Sequence, residues 1–95
     1  MATYVILSRV APGSFRDPGH FKKLTEQVIK KVAEACPGIK FKDSYATMGR
    51  FDFVDIVEAD DPMEVNRAAM IIRALGPSET EIMAATPFRE FLAEL

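Results

Sequence analysis

The sequence predicts an α+β fold in which a four-stranded antiparallel sheet is carried by the order β-α-β-β-α-β and followed by a short C-terminal helix. Three observations lead there. Four short runs, marked by β-branched and aromatic residues or by alternation, are interleaved with two segments whose apolar residues recur every three to four positions. Both of those segments open on an aspartate followed directly by proline, at Asp17-Pro18 and Asp61-Pro62. The two middle runs are separated by little more than Gly49-Arg50, which is enough for an antiparallel hairpin and far too short for a parallel crossover.

Each element has its own warrant. Thr3 to Arg9 reads as a first strand, short and expected to be covered on both faces. Two prolines and two glycines between Ala11 and Gly19 exclude regular structure and make an exposed connection. From His20 to Ala35 the residues Phe21, Leu24, Val28, Val32 and Ala35 form one stripe, with Asp17 as cap and Pro37-Gly38 as stop. Ile39 to Met48 alternates, placing Ile39, Phe41, Asp43, Tyr45 and Thr47 on one side, and Phe51 to Ala59 pairs back on it. Phe51, Phe53, Asp55 and Val57 then share a face.

The second helix is expected from Pro62 to about Leu75. Asp61 is its cap, Glu64 reaches back to that cap, and Gly76-Pro77 end it. Ser78 to Ala85 is the fourth strand, and Thr86-Pro87 cap a last turn of helix. There Phe88, Phe91, Leu92 and Leu95 make a narrow apolar stripe that must be buried against this subunit or a neighbour. The order is the split βαβ, or ferredoxin-like, arrangement.

Composition bounds the function. Ninety-five residues suit a single domain over residues 1–95. A net charge of −2 with lysines only modestly clustered argues against a nucleic-acid partner. No apolar run approaches the roughly 18 residues of a membrane span, and the N-terminus lacks a signal pattern, so a soluble cytoplasmic protein is expected. One cysteine, Cys36, allows no intrachain disulfide. With both helices on one sheet face, the other face would leave several aromatic and aliphatic side chains wet, forfeiting on the order of 10 kcal/mol. Packing sheet to sheet in a homodimer is the economical remedy. It yields a dimeric α/β barrel with a pocket between each sheet and its helices or loops.

Thr3-Tyr4-Val5-Ile6-Leu7, the turn Met48-Gly49-Arg50-Phe51-Asp52, the run Ile56-Val57-Glu58-Ala59 with Asp60-Asp61, and Glu79-Thr80, taken in that order and spacing, resemble the GYD-domain family. The resemblance spans nearly the whole chain and implies a ferredoxin-like, dimeric α/β-barrel fold, in a family whose biochemical role is mostly uncharacterised and which supplies no catalytic residues to carry over. Phe51 stands in the place of the family's eponymous tyrosine.

The candidate site residues come from the chemistry of the chain itself. Asp55 is a carboxylate between Phe53 and Val57 on a central strand, where it must be paired, hydrated or raised in pKa, so it is a candidate acid–base group. An ion pair with Arg9 or Arg73 across a dimer interface is the structural alternative. His20, the one histidine, beside the Pro/Gly loop, is the second acid–base candidate, against a solvated helix-start histidine. Tyr4, Arg9, Tyr45 and Asp52 are candidate ligand contacts, against the structural alternative that Asp52 fixes the hairpin by accepting backbone amides. A single histidine excludes a multi-histidine metal site within one subunit, and no phosphate loop or cysteine pair is present, so no metal or cofactor is expected. The leading functional expectation is a homo-oligomeric small-molecule-binding or regulatory protein. A cofactor-independent isomerase, decarboxylase or monooxygenase acting on a small aromatic or carbonyl compound, and an accessory subunit docking through Phe88 to Leu95, are the alternatives.

Overall fold

A computed structural model describes residues 1–76 and 78–95. The elements are β1 (Ala2–Val10), α1 (Pro18–Ala35), β2 (Lys40–Ala46), β3 (Phe53–Ala59), α2 (Pro62–Leu75), β4 (Ser78–Ala85) and α3 (Phe88–Ala93). The strands form one antiparallel sheet in the order β2-β3-β1-β4, so the chain has the ferredoxin-like βαββαβ fold. Both long helices start as the sequence dictates. Asp17 accepts from the His20 amide and Asp61 from the Met63 amide, each followed by proline in the first turn.

Glu64 does not reach back to its own cap: its Oε1 accepts the Gly38 amide at 2.8 Å, tying the start of α2 to the turn after α1. Gly76 closes α2 through its amide to the Ile72 carbonyl, while Pro77 lies outside the described residues. At α3 the cap position is Pro87, with no side-chain hydrogen bond, in place of the expected Thr86.

The helices cover one face of the sheet. Ile6 and Val57 from the central strands meet Val65 of α2 and are fully buried, with Ala59 beside them and Tyr4 and Ile82 packed around. A second small core, Val32, Cys36 and Ala68, lies between α1 and α2. The opposite face carries Val5, Leu7, Val54 and Ile56, each half-buried, and no described element of this chain lies over it. The first strand is therefore covered on one face within the single chain, against the expectation of two. Phe88, Phe91, Leu92 and Leu95 remain between 47% and 86% exposed, so α3 does not bury its stripe against its own subunit.

The hairpin differs in detail. β3 begins at Phe53, and the connection Thr47–Asp52 is longer than the Gly49-Arg50 reversal, held by the Thr47 amide to the Asp52 carbonyl at 2.8 Å and by Thr47 Oγ1 to the Phe51 carbonyl at 2.6 Å. Gly49 sits at φ +152°, a conformation that L side chains rarely adopt. A bulge between Phe41 and Asp43 shifts the alternation of β2, so that Ser44 faces Asp55 and Tyr45 pairs with Val54.

Candidate functional site

A cavity of about 570 Å³ lies between α1 and the helix-facing side of the sheet, within the range of small-molecule sites. Its origin is visible in the packing. α1 rests on α2 through Val28, Val32 and Cys36, and reaches the sheet through Phe21, whose ring stacks on Phe53 at 5.3 Å and 14°. Between those two anchors the helix stands off the strands. Phe15, from the Pro/Gly loop, meets Phe21 edge-on at 4.8 Å and completes an aromatic group at this end of the cavity.

Asp55 lies on the sheet wall of the cavity. Ser44 Oγ donates to its Oδ1 at 2.6 Å across the β2–β3 pair. Burial pushes the Asp55 carboxyl above its ordinary 3.8, and the Ser44 hydrogen bond opposes that rise. Neither Arg9 nor Arg73 is its partner within the chain. Arg9 donates from Nε to the Arg50 carbonyl at 2.9 Å, pairs with Glu79 at 3.8 Å and lies over the Phe51 ring at 5.4 Å. Arg73 donates to Met70 Sδ.

The remaining candidates are dispersed. His20 is half-buried at the start of α1; its Nδ1 accepts the Arg16 amide at 3.3 Å, its ring meets Phe15 edge-on, and it is not among the cavity's lining residues. Tyr4 packs against the Ile6–Val57–Val65 core. Tyr45 borders the cavity, yet its pairing with Val54 sets it on the opposite sheet face from Asp55 and it is 56% exposed. Asp52 Oδ2 accepts the Val10 amide at 2.7 Å, and the Asp52 amide donates to the Ser8 carbonyl at 2.9 Å, which gives this carboxylate a structural place at the end of β1.

Phe15, Phe21 and Ser44 surround the cavity, a grouping that no spacing in the sequence marks. The usable signal was the face shared by Phe53 and Asp55, with Phe21 on the first helical stripe. Cys36, buried, also lines the cavity, and burial pushes its thiol above the ordinary 9.0, away from a nucleophilic thiolate. Among the described residues, no three His, Cys, Asp or Glu side chains are grouped to hold a metal ion, and no helix is long and apolar enough to cross a membrane.

Known proteins agree with this architecture. A protein of Thermus thermophilus named "Glutamine synthetase and cystathionine beta-lyase binding protein" is 27% identical over 99 residues, covering 100% of this chain and 99% of its own length. The crystal structure of FFRP-DM1 superposes with a TM-score of 0.58 at 23% identity, over 90% of this chain and 100% of that one. Hypothetical protein PHS023 from Pyrococcus horikoshii gives 0.55 at 26% identity, over 92% of each chain. The model of the GYD domain matches residues 4–94, which takes in all four strands but for the first two residues of β1, and the hairpin described above; the chain belongs to the GYD-domain family.

Proposed function

We propose that this GYD-domain chain is a homodimeric small-molecule-binding or regulatory protein whose ligand occupies the cavity between α1 and the sheet. The cavity itself carries the reading. A space of about 570 Å³ lined by aromatic and aliphatic side chains, with the Ser44–Asp55 pair as a polar anchor, has the composition of a ligand site rather than of a packing defect. Dimerisation is supported separately by the uncovered sheet face and the exposed α3 stripe, two apolar surfaces of one chain that a second copy would bury together.

The test is a thermal-shift screen of metabolites, run beside a measurement of molar mass in solution. A ligand at 100 times its Kd stabilises the folded state by about 2.7 kcal/mol. A panel of small apolar compounds that never shifts the midpoint contradicts the binding reading, and a monomeric mass contradicts the dimer.

A second reading is favoured by α3. Its exposed phenylalanines and leucines, in a chain 27% identical to a protein named for binding two enzymes, suit an accessory subunit that docks on a larger protein. Deleting residues 88–95 then releases that partner while leaving the sheet and both long helices folded.

A further inference from the structure

We infer that the cavity between α1 and the sheet takes an apolar, ring-bearing amine, its ring held among Phe15, Phe21 and Phe53 and its ammonium set against Asp55; this rests on the small-molecule reading above.

The charge inventory of the wall comes first. Among the described residues no lysine, arginine or histidine lines the cavity, and Asp55 is the one carboxylate that does. The described ion pairs engage the N-terminus with Asp60, Arg9 with Glu79, and Lys42 with Glu58, so none of the described cations pairs with Asp55. Ser44 satisfies Oδ1, and among the described residues no donor is bonded to Oδ2. A half-buried carboxylate in that condition is destabilised by lost hydration, and an entering ammonium supplies both the missing countercharge and a charge-assisted hydrogen bond, about twice as strong as a neutral one. A carboxylate or phosphate ligand meets the reverse: no cation to receive it, and a like charge facing it.

The apolar part of the ligand follows from the strand. Phe53 lies two residues from Asp55 on the same face, about 6.7 Å along β3. A ring placed against the Phe21–Phe53 stack, with Phe15 closing the end, is thus one short aliphatic arm from the carboxylate. The rest of the described wall, including Leu24, Val28 and Ile72, carries no second carboxylate, while the thiol of Cys36 is pushed toward its neutral form by burial; this favours a second apolar portion over a charged one.

The experiment titrates the full-length chain by calorimetry with three compounds of one shape: 2-naphthylethylamine, 2-(naphthyl)ethanol and naphthylacetate. The amine binds at least tenfold more tightly than the alcohol, and naphthylacetate is the weakest. Asp55→Asn removes the advantage of the amine while leaving the alcohol bound as before. Ala33→Trp, which places a large ring at the cavity wall, weakens amine and alcohol alike. If the alcohol or the acetate binds as well as the amine, and Ala33→Trp blocks it, the cavity binds small molecules but the amine assignment is overturned. If none of the three binds, or if binding is indifferent to Ala33→Trp, both the assignment and the cavity reading fail. The ranking on the unmodified chain decides the matter even if Asp55→Asn folds poorly.

Discussion

Asp52 Oδ2 accepts the backbone amide of Val10 at 2.7 Å, forty-two positions away in sequence, and so fastens the end of β1 to the entry of β3. Val10 is half-buried, and losing that carboxylate removes the acceptor its amide now uses. Asp52→Ala is expected to cost about 1–3 kcal/mol in urea unfolding, whereas Asp52→Asn, which keeps an acceptor oxygen, costs less. Equal losses for the two variants would show that the charge, rather than the hydrogen bond, holds the strands.

Glu64 and Gly38 act as one unit. A methyl group at Gly38 would collide with the Glu64 carboxylate that receives the Gly38 amide. Glu64→Ala and Gly38→Ala are each expected to destabilise by about 1 kcal/mol, and the double variant by clearly less than the sum. Additive losses in a denaturation cycle would mean that the two residues do not share one contact.

The pH dependence of Asp55 has a definite sign. Its carboxyl is raised in the folded chain by burial, so the folded state holds the proton more tightly than the unfolded one. The associated stability is fully present below the unfolded value, near 3.8, and is lost as the pH rises through the folded value. Asp55→Asn does not ionise, so its melting temperature should gain on that of the unmodified chain as the pH climbs from acid to neutral. Parallel curves for the two proteins would contradict this.

The α3 stripe separates association from folding. Phe91→Ser with Leu92→Ser removes apolar surface already 47% and 50% exposed. The stability of the dilute single chain is expected to change by no more than about 0.5 kcal/mol. Sedimentation equilibrium should nevertheless show a marked loss of self-association, and an unchanged mass distribution would remove α3 from the interface.

Much of the fold was legible because its boundaries are written in strong local chemistry. The Asp-Pro pairs at 17–18 and 61–62 set the helix starts, and the β-branched runs set β1 and β3. Asp55 was legible as an anomaly, since a carboxylate between Phe53 and Val57 has few tolerable environments. Its partner was not. The bulge between Phe41 and Asp43 exchanges the faces of β2, turning Ser44 toward Asp55 and Tyr45 away, and strict alternation cannot anticipate it. Tyr4 and Arg9 offer hydrogen-bonding groups in the sequence, but tertiary packing takes Tyr4 into the core, and Glu79, Arg50 and Phe51 engage Arg9. His20 failed to join Asp55 because the first turn of α1 holds it beside Arg16 and Phe15.

The division of the interior into two small cores, joined through α2, bears on how the molecule opens. Val65 faces the sheet core and Ala68 the α1 core, so α2 belongs to both, while α1 is seated on α2 and meets the sheet through the Phe21–Phe53 stack. Such an arrangement lets α1 detach as a cooperative unit without dissolving the strands. In hydrogen exchange, amides of α1 should lose protection well before those of β1 and β3, and a molecule lodged beneath the helix should slow its exchange first.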